Sequence, residues 1–275
     1  MSTELAGVPL PLSGSSRLYA IIGDPIGQVG SPRLFNTAFR ERGIDAVLVA
    51  MHIAPTDLPG MVATFRAMKN FDGLIVTVPH KIAIASMVDE LGASGMRTGA
   101  VNTIRKLANG RLLGDNFDGI GFVRGLAARG IELAGKRVLV VGAGGAGCAV
   151  VNAIADHGAA YLGVFDIDRR RRDELVASVA KHAPTVCIEA AVPVAAGYDV
   201  IVNCTSVGMK PGDPLPVDIA GLSPDAVVAD IILKPVRTPL LDAAARIGCI
   251  THEGPAMLEG QVDAVMDFFF PTLPQ

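Results

Sequence analysis

The stretch from Lys136 to Asp166, KRVLVVGAGGAGCAVVNAIADHGAAYLGVFD, constrains the fold more than any other. The strand-like segment RVLVV at 137–141, apolar from Val138, enters Gly142-x-Gly144-x-x-Gly147, a helix-length apolar segment follows, and a second apolar run ends in Asp166. A strand that is apolar on both faces belongs in a parallel sheet covered by helices on either side. Gly142 permits the tight turn, Gly144 lets backbone N–H groups approach a pyrophosphate, and Gly147 lets helix and strand pack closely. The positive end of the helix favours the phosphate charge. Asp166 stands 24 residues after Gly142, near the ~20-residue spacing of an acid that binds the adenosine ribose. The pattern predicts a Rossmann-type dinucleotide site. A carboxylate accepts two ribose hydroxyls and repels a 2′-phosphate, so the expected cofactor is NAD rather than NADP. The run Arg169–Arg172 pulls the other way, because arginines pair phosphate. Such a run at a helix start is more commonly a solvated face.

The rest of the chain alternates in the same manner. Strands are expected at 17–22, 46–53 and 71–79, with helices at 31–43, near 58–69, and after residue 79 to about Leu91. Ser31 reads as the N-cap of the first helix, with Pro32 in its first turn. The segment 101–116 breaks the pattern, since Asn109-Gly110 between two short runs signals a hairpin. A helix is expected at 118–129. Strands follow at 137–141, 161–166, 199–203 and 226–232 with helices between them, then a helix from Thr238 to Gly248 and a last one beginning near Pro255. The alternation implies a mostly parallel α/β architecture. The change near 115–120 divides it into a domain at 1–117 and a Rossmann domain at 118–248.

A chain of 275 residues suits one large domain or two modest ones. A net charge of −3 offers no basic surface for nucleic acid. No apolar run approaches the ~18 residues of a membrane span. The first sixteen residues lack the basic and apolar regions of a secretory signal, so the expected location is cytoplasmic. The four cysteines are scattered without Cys-x-x-Cys spacing, and the five histidines have no ligand spacing, so neither a disulfide nor a metal is expected.

Outside the glycine loop the chain resembles the shikimate dehydrogenase family, which includes quinate/shikimate dehydrogenases. The matching segments are IIGDPIGQVGSPRLFNTAF (21–39), GLIVTVPHK (73–81), GAVNT (99–103), GDNFDGIGF (114–122), VNCTSVGM (202–209), TPLL (238–241) and GPAMLEGQ (254–261). Each alone is weak, but their common order is specific. The resemblance implies an N-terminal substrate domain to which residues 249–275 return, and a C-terminal nucleotide domain. It implies Lys81 and Asp118 as the catalytic pair, with Thr77, Asn102 and Gln261 on the substrate's ring hydroxyls. Ser31 would hold its carboxylate. Gly142, Ala143, Gly144, Gly145, Ala146, Asp166, Asn203, Thr205, Ile231, Gly254 and Met257 fall at nucleotide-contacting positions. Taken alone, Lys81 reads as a solvated helix-start lysine and Asp118 as a helix N-cap.

Four positions depart from the family pattern. Val29, Ile75, Phe117 and Leu233 stand where it has serine, asparagine, threonine and tyrosine. Catalytic positions are kept while recognition positions become apolar, which suggests either an altered substrate or local repacking. The expected function is therefore NAD-dependent hydride transfer to and from a ring hydroxyl of a shikimate- or quinate-like cyclic acid, by a monomer or homodimer. An NADP-linked shikimate dehydrogenase is the near alternative. A regulatory paralogue that binds NAD or a ring acid with little catalysis is the alternative of another class.

Overall fold

Apolar runs become the inner strands of two sheets, one built from residues 17–115 and the other from 137–252. The computed structural model describes residues 12–271; most of the segment read for a leader lies outside them. The first part contains β1 (Arg17–Gly23), α1 (Ser31–Glu41), β2 (Ala46–His52), α2 (Leu58–Ala67), β3 (Phe71–Val76), β4 (Glu90–Leu91), α3 (Ala93–Thr98), β5 (Thr103–Lys106) and β6 (Leu112–Asp115). The second contains α4 (Asp118–Ala127), β7 (Arg137–Val141), α5 (Gly145–Asp156), β8 (Tyr161–Phe165), α6 (Arg169–His182), β9 (Cys187–Ala190), β10 (Val200–Asn203), β11 (Val227–Asp230), α7 (Pro239–Ile247), β12 (Ile250–His252) and α8 (Pro255–Phe269).

The first sheet has the order β2-β1-β3-β5-β6-β4. It is mixed, because the Asn109-Gly110 turn folds β5 and β6 into an antiparallel hairpin, with Gly110 at φ +82°. The second sheet has the order β12-β11-β10-β7-β8-β9 and is parallel throughout. Its strand order reverses between β7 and β10. In such sheets ligands bind in the crevice beyond the carboxyl ends of the strands at that reversal.

The helix expected to run to Leu91 is instead a 3-10 turn at Ala83–Met87 followed by the two-residue β4. The helix expected between β10 and β11 is absent among the described residues. Pro211, Pro214 and Pro216 interrupt that segment and remove backbone donors a helix needs. Ser31 is the first helical residue rather than the cap, which is Gly30. Asp118 likewise begins α4 and does not cap it, because its carboxylate is committed elsewhere. The edge strands β9 and β12 are too short to read from periodicity.

Two packing features place the site. Helix α4 lies between α5 and α8 at glycine distance. A Cβ on Gly119 would sit 2.4 Å from the Ala149 carbonyl, and one on Gly121 the same distance from that of Met257. Helix α8 then crosses to the first sheet, where Val265, Met266 and Phe269 join a core with Tyr19, Phe35 and Phe39. The Tyr19 and Phe269 rings lie 4.8 Å apart.

His252 ends β12 buried, 1% exposed, with neither ring nitrogen hydrogen-bonded. Burial, helped by the charge of Arg129, lowers its pKa from 6.5 to about 4. In the unfolded chain the imidazole protonates below about 6.5; in the fold it resists to about 4. Stability is therefore lost as pH falls through that window, by roughly 3 kcal/mol at most. Melting temperatures of wild type and His252→Phe should diverge as pH falls from neutral toward 4, the wild type losing more. Parallel curves would show that the imidazole does not carry the effect.

Candidate active site

Lys81 lies in the turn after β3, and its main-chain carbonyl accepts the Val101 N–H at 2.8 Å. Its side chain is only 13% exposed, so it is not a solvated helix-start lysine. Its Nζ donates to Asp118 Oδ2 at 2.5 Å. Asp118, 2% exposed, is held at its other oxygen by Asn102 Nδ2 at 2.9 Å. The Asn102 amide also donates to Gln261 Oε1 at 3.0 Å, while its Oδ1 accepts the Phe117 N–H and the Thr103 hydroxyl, each at 2.9 Å. Asn116 fixes the start of α4 by accepting the Asp118 N–H at 3.0 Å and donating to the Ala100 carbonyl at 3.2 Å. Sequence reasoning assigns Asn116 no role, although it lies within one of the family motifs. Four predicted residues, Lys81, Asn102, Asp118 and Gln261, thus form one contiguous buried network drawn from the turn after β3, the approach to β5, α4 and α8.

Thr77 directly follows β3, its backbone N–H bonded to the Ile22 carbonyl and its methyl against Gly23. Ser31 is buried in the first turn of α1. The hydrogen bonds place neither of them in the network.

The glycine loop faces the lysine. A Cβ on Gly145 would lie 3.1 Å from the Lys81 Cβ, so the first turn of α5 abuts the catalytic candidate. Gly142 has φ +106° and packs against the backbone of Cys204 and the methyl of Thr205, a conformation L side chains rarely adopt. The N–H groups of 145–147 begin a helix and have no intrahelical partner, so they are available to a phosphate. The fold thus brings Gly142, Ala143, Gly144, Gly145 and Ala146 to the switch-point crevice beside Asn203 and Thr205. Gly254 packs against the backbone of Ile231 and Ile232. A Cβ on Gly254 would lie 2.3 Å from the Ile232 carbonyl, and Met257 is buried in the first turn of α8.

Asp166 does not present itself as the sequence implied. It is 7% exposed, and both of its carboxylate oxygens accept backbone N–H groups, from Ala143 at 2.6 Å and Asp168 at 2.8 Å. Arg171 Nη1 lies 3.9 Å from it. Beyond it opens a groove of about 510 Å³ lined by Phe165, Asp166, Ile167, Arg169, Arg172, Ala191 and Val192. Ile167 and Val192 are 92% and 67% exposed there.

This geometry has known counterparts. The family model described as "Shikimate dehydrogenase substrate binding domain" matches residues 21–104. A relative from Acidiphilium cryptum named "Shikimate dehydrogenase (NADP(+))" is 40% identical over 267 residues, covering 96% of this chain and 94% of the relative. The chain belongs to the shikimate dehydrogenase family. Among solved structures, a shikimate dehydrogenase in complex with NADP+ superposes with a TM-score of 0.86 at 29% identity, covering 96% of this chain and 93% of that one. Shikimate 5-dehydrogenase from Listeria monocytogenes in complex with shikimate and NAD gives 0.83 at 29% identity, covering 95% and 94%.

Membership makes the chain an oxidoreductase and corrects the cofactor expectation. The expectation of NAD requires Asp166 to be a free ribose acceptor. The Acidiphilium relative is named for NADP(+), and the solved shikimate dehydrogenase that superposes at 0.86 carries NADP+. The physical reason lies in the groove beside Asp166, which carries Arg169 and Arg172, two side chains able to pair a 2′-phosphate. The spacing locates a carboxylate correctly but says nothing of where it points.

The departures from the family pattern are largely packing positions. Ile75 is buried in the core of the first sheet, and Val29 and Phe117 pack against that core. The Phe117 ring lies 5.2 Å from that of Phe268. Leu233 is half-buried. The first three therefore have apolar neighbours to pack against.

Proposed function

We propose that the protein is an NADP-linked shikimate dehydrogenase, interconverting a ring hydroxyl of shikimate and the corresponding ketone. The observation that carries this reading is the buried Lys81–Asp118 pair, braced by Asn102 and abutting the glycine loop. Bound NADP would lie along that loop with its pyrophosphate at the N-terminus of α5, and it supplies or accepts the hydride.

What remains belongs to the side chains. As the ketone is reduced, negative charge develops on its oxygen. Lys81 presents an ammonium N–H to that oxygen, stabilises the charge and passes it the proton. In the oxidising direction the same nitrogen takes the hydroxyl proton. Asp118 holds the ammonium in place, and Asn102 orients Asp118 by donating to its second oxygen. Thr77 and Gln261 hold other ring hydroxyls, and Ser31 holds the carboxylate. The walls of α4 and α8 keep the pair from water, which strengthens each of these interactions.

The test is initial-rate nicotinamide absorbance with shikimate and NADP. Turnover is expected. Protein that binds NADPH but turns over neither shikimate nor quinate would refute the reading.

The arginine groove gives a second prediction. With Arg169 and Arg172 both changed to Ala, the KM for NADP should rise about tenfold or more, the effect of losing a charge-assisted contact to phosphate. The KM for NAD should stay within about twofold, because NAD has no 2′-phosphate to lose. Equal changes for both nucleotides would mean that these arginines do not meet the phosphate.

A further inference from the structure

Asp230 ends β11 and is 1% exposed. No salt bridge reaches it among the described residues. Its carboxylate instead accepts three hydrogen bonds, from the Ile232 N–H at 3.0 Å, the Thr238 hydroxyl at 2.8 Å and Asn203 Nδ2 at 3.1 Å. All three partners point donors at it, an arrangement only an acceptor group satisfies. Burial raises its pKa, but the three bonds oppose that.

The consequence falls on Asn203. The two ends of an amide are nearly the same shape, and only hydrogen-bond partners decide which way it faces. Asp230, with the Val207 carbonyl, takes the NH₂ end, and Oδ1 faces Thr205. That oxygen then accepts both the Thr205 N–H at 3.0 Å and the Thr205 hydroxyl at 2.7 Å. The same NH₂ also donates to the Val207 carbonyl at 3.1 Å, and the Thr205 hydroxyl oxygen accepts the Val207 N–H at 3.1 Å. The loop after β10 is thereby closed on itself, with the Thr205 methyl against Gly142. On the other side the carboxylate fixes Ile232, whose carbonyl is in contact with Gly254, and Thr238, which caps α7. One side chain outside every predicted site thus ties together three segments that meet at the nucleotide crevice.

We propose that Asp230 is a positioning residue for the cofactor, acting through Asn203 and Thr205; this rests on the NADP reading above. An Asp230→Asn side chain keeps the shape but must turn an NH₂ toward at least one existing donor, which removes the charge that anchors the Asn203 amide and leaves it held only by its own loop, at Thr205 and Val207. The full-length protein is titrated with NADPH, followed by its fluorescence without substrate, and then assayed for the KM of NADP, the KM of shikimate, and kcat. Asp230→Asn should raise the NADPH Kd and the NADP KM about tenfold, the effect of one misdirected charge-assisted bond. The shikimate KM and kcat should move less than about twofold, since Lys81 and Asp118 are untouched.

Thr238→Val, which keeps the side chain's shape and removes its hydroxyl, should reproduce part of the defect, and Thr238→Ser should restore it. That pair decides the question if Asp230→Asn does not fold. A lowered melting temperature with unchanged NADPH affinity would overturn the proposal, as would a rise of both KM values together. Wild-type protein that fails to bind NADPH sinks the functional reading and this inference with it. Wild-type binding with unmoved variants sinks this inference alone.

Discussion

Replacing Lys81 by Ala should lower kcat for shikimate oxidation by about 10²–10⁴-fold, the usual contribution of a positioned general acid–base group. Among the described residues its Nζ is the one cation bound to Asp118, and its side chain is almost wholly withdrawn from solvent. Water entering the space left by the side chain is a weaker acid than an ammonium and lacks the charge that Asp118 holds in place. The NADPH Kd should change little, because the loop that would bind the nucleotide meets Lys81 most closely at Cβ, an atom that alanine keeps, and also rests on Ala100. That separation distinguishes lost chemistry from a lost fold. Asp118→Asn is the companion variant: it keeps the side chain's size but removes the charge that orients the ammonium and turns an NH₂ toward Lys81 or Asn102, so it should also fall in kcat. Added primary amine should restore part of the Lys81→Ala activity, since it refills the cavity with a proton donor of the right type. A Lys81→Ala enzyme with kcat within about fivefold of wild type would remove Lys81 from the chemistry.

Why some of this is legible in the sequence and some is not follows from the range of the forces involved. The turn at Gly142–Gly147, the hairpin at Asn109-Gly110 and the helix from Thr238 to Gly248 are local objects, fixed by backbone freedom and capping within a few residues. Each is present where the residues imply. Thr238 caps α7 by accepting the Leu241 N–H, and Gly248 closes it in the left-handed region at φ +105°. The segment after Lys81 escapes because helical periodicity does not distinguish an α-helix from a 3-10 turn pinned at both ends by the sheet. The direction of Asp166 escapes because its partners, the N–H groups of Ala143 and Asp168, are set by how two loops converge. Asp230 is hidden for the same reason: a buried acid at a strand end shows its purpose only when Asn203, 27 residues away, lies beside it. The seven motifs locate the parts of the site. They leave open that Asn102 joins Asp118 to Gln261 across 159 residues of chain.

That joint is the second place where a large effect is expected. Asn102 is 2% exposed and makes four side-chain hydrogen bonds, two as donor and two as acceptor. Asn102→Ala leaves Asp118 Oδ1, Gln261 Oε1, the Thr103 hydroxyl and the Phe117 N–H without their partner at once. A buried polar group deprived of its partner costs about 1–3 kcal/mol. The Thr103 hydroxyl can rotate to another acceptor, so the sum is not fully additive, and a loss of about 3–5 kcal/mol is expected. This is a large share of the ~5–15 kcal/mol that holds a typical domain. Asn102→Asp should destabilise further at neutral pH, because its new oxygen replaces the donor that Asp118 Oδ1 receives at 2.9 Å. Two carboxylates forced together raise the affinity of one of them for a proton. The folded variant then binds more protons than the unfolded chain, so its stability recovers as pH falls toward the carboxylate range and is lost again as pH rises. Asn102→Ala has no such group and shows no recovery. Thermal melts of the two variants across pH read this directly: a recovery confined to Asn102→Asp places the amide donor against Asp118, and two parallel curves would deny that contact.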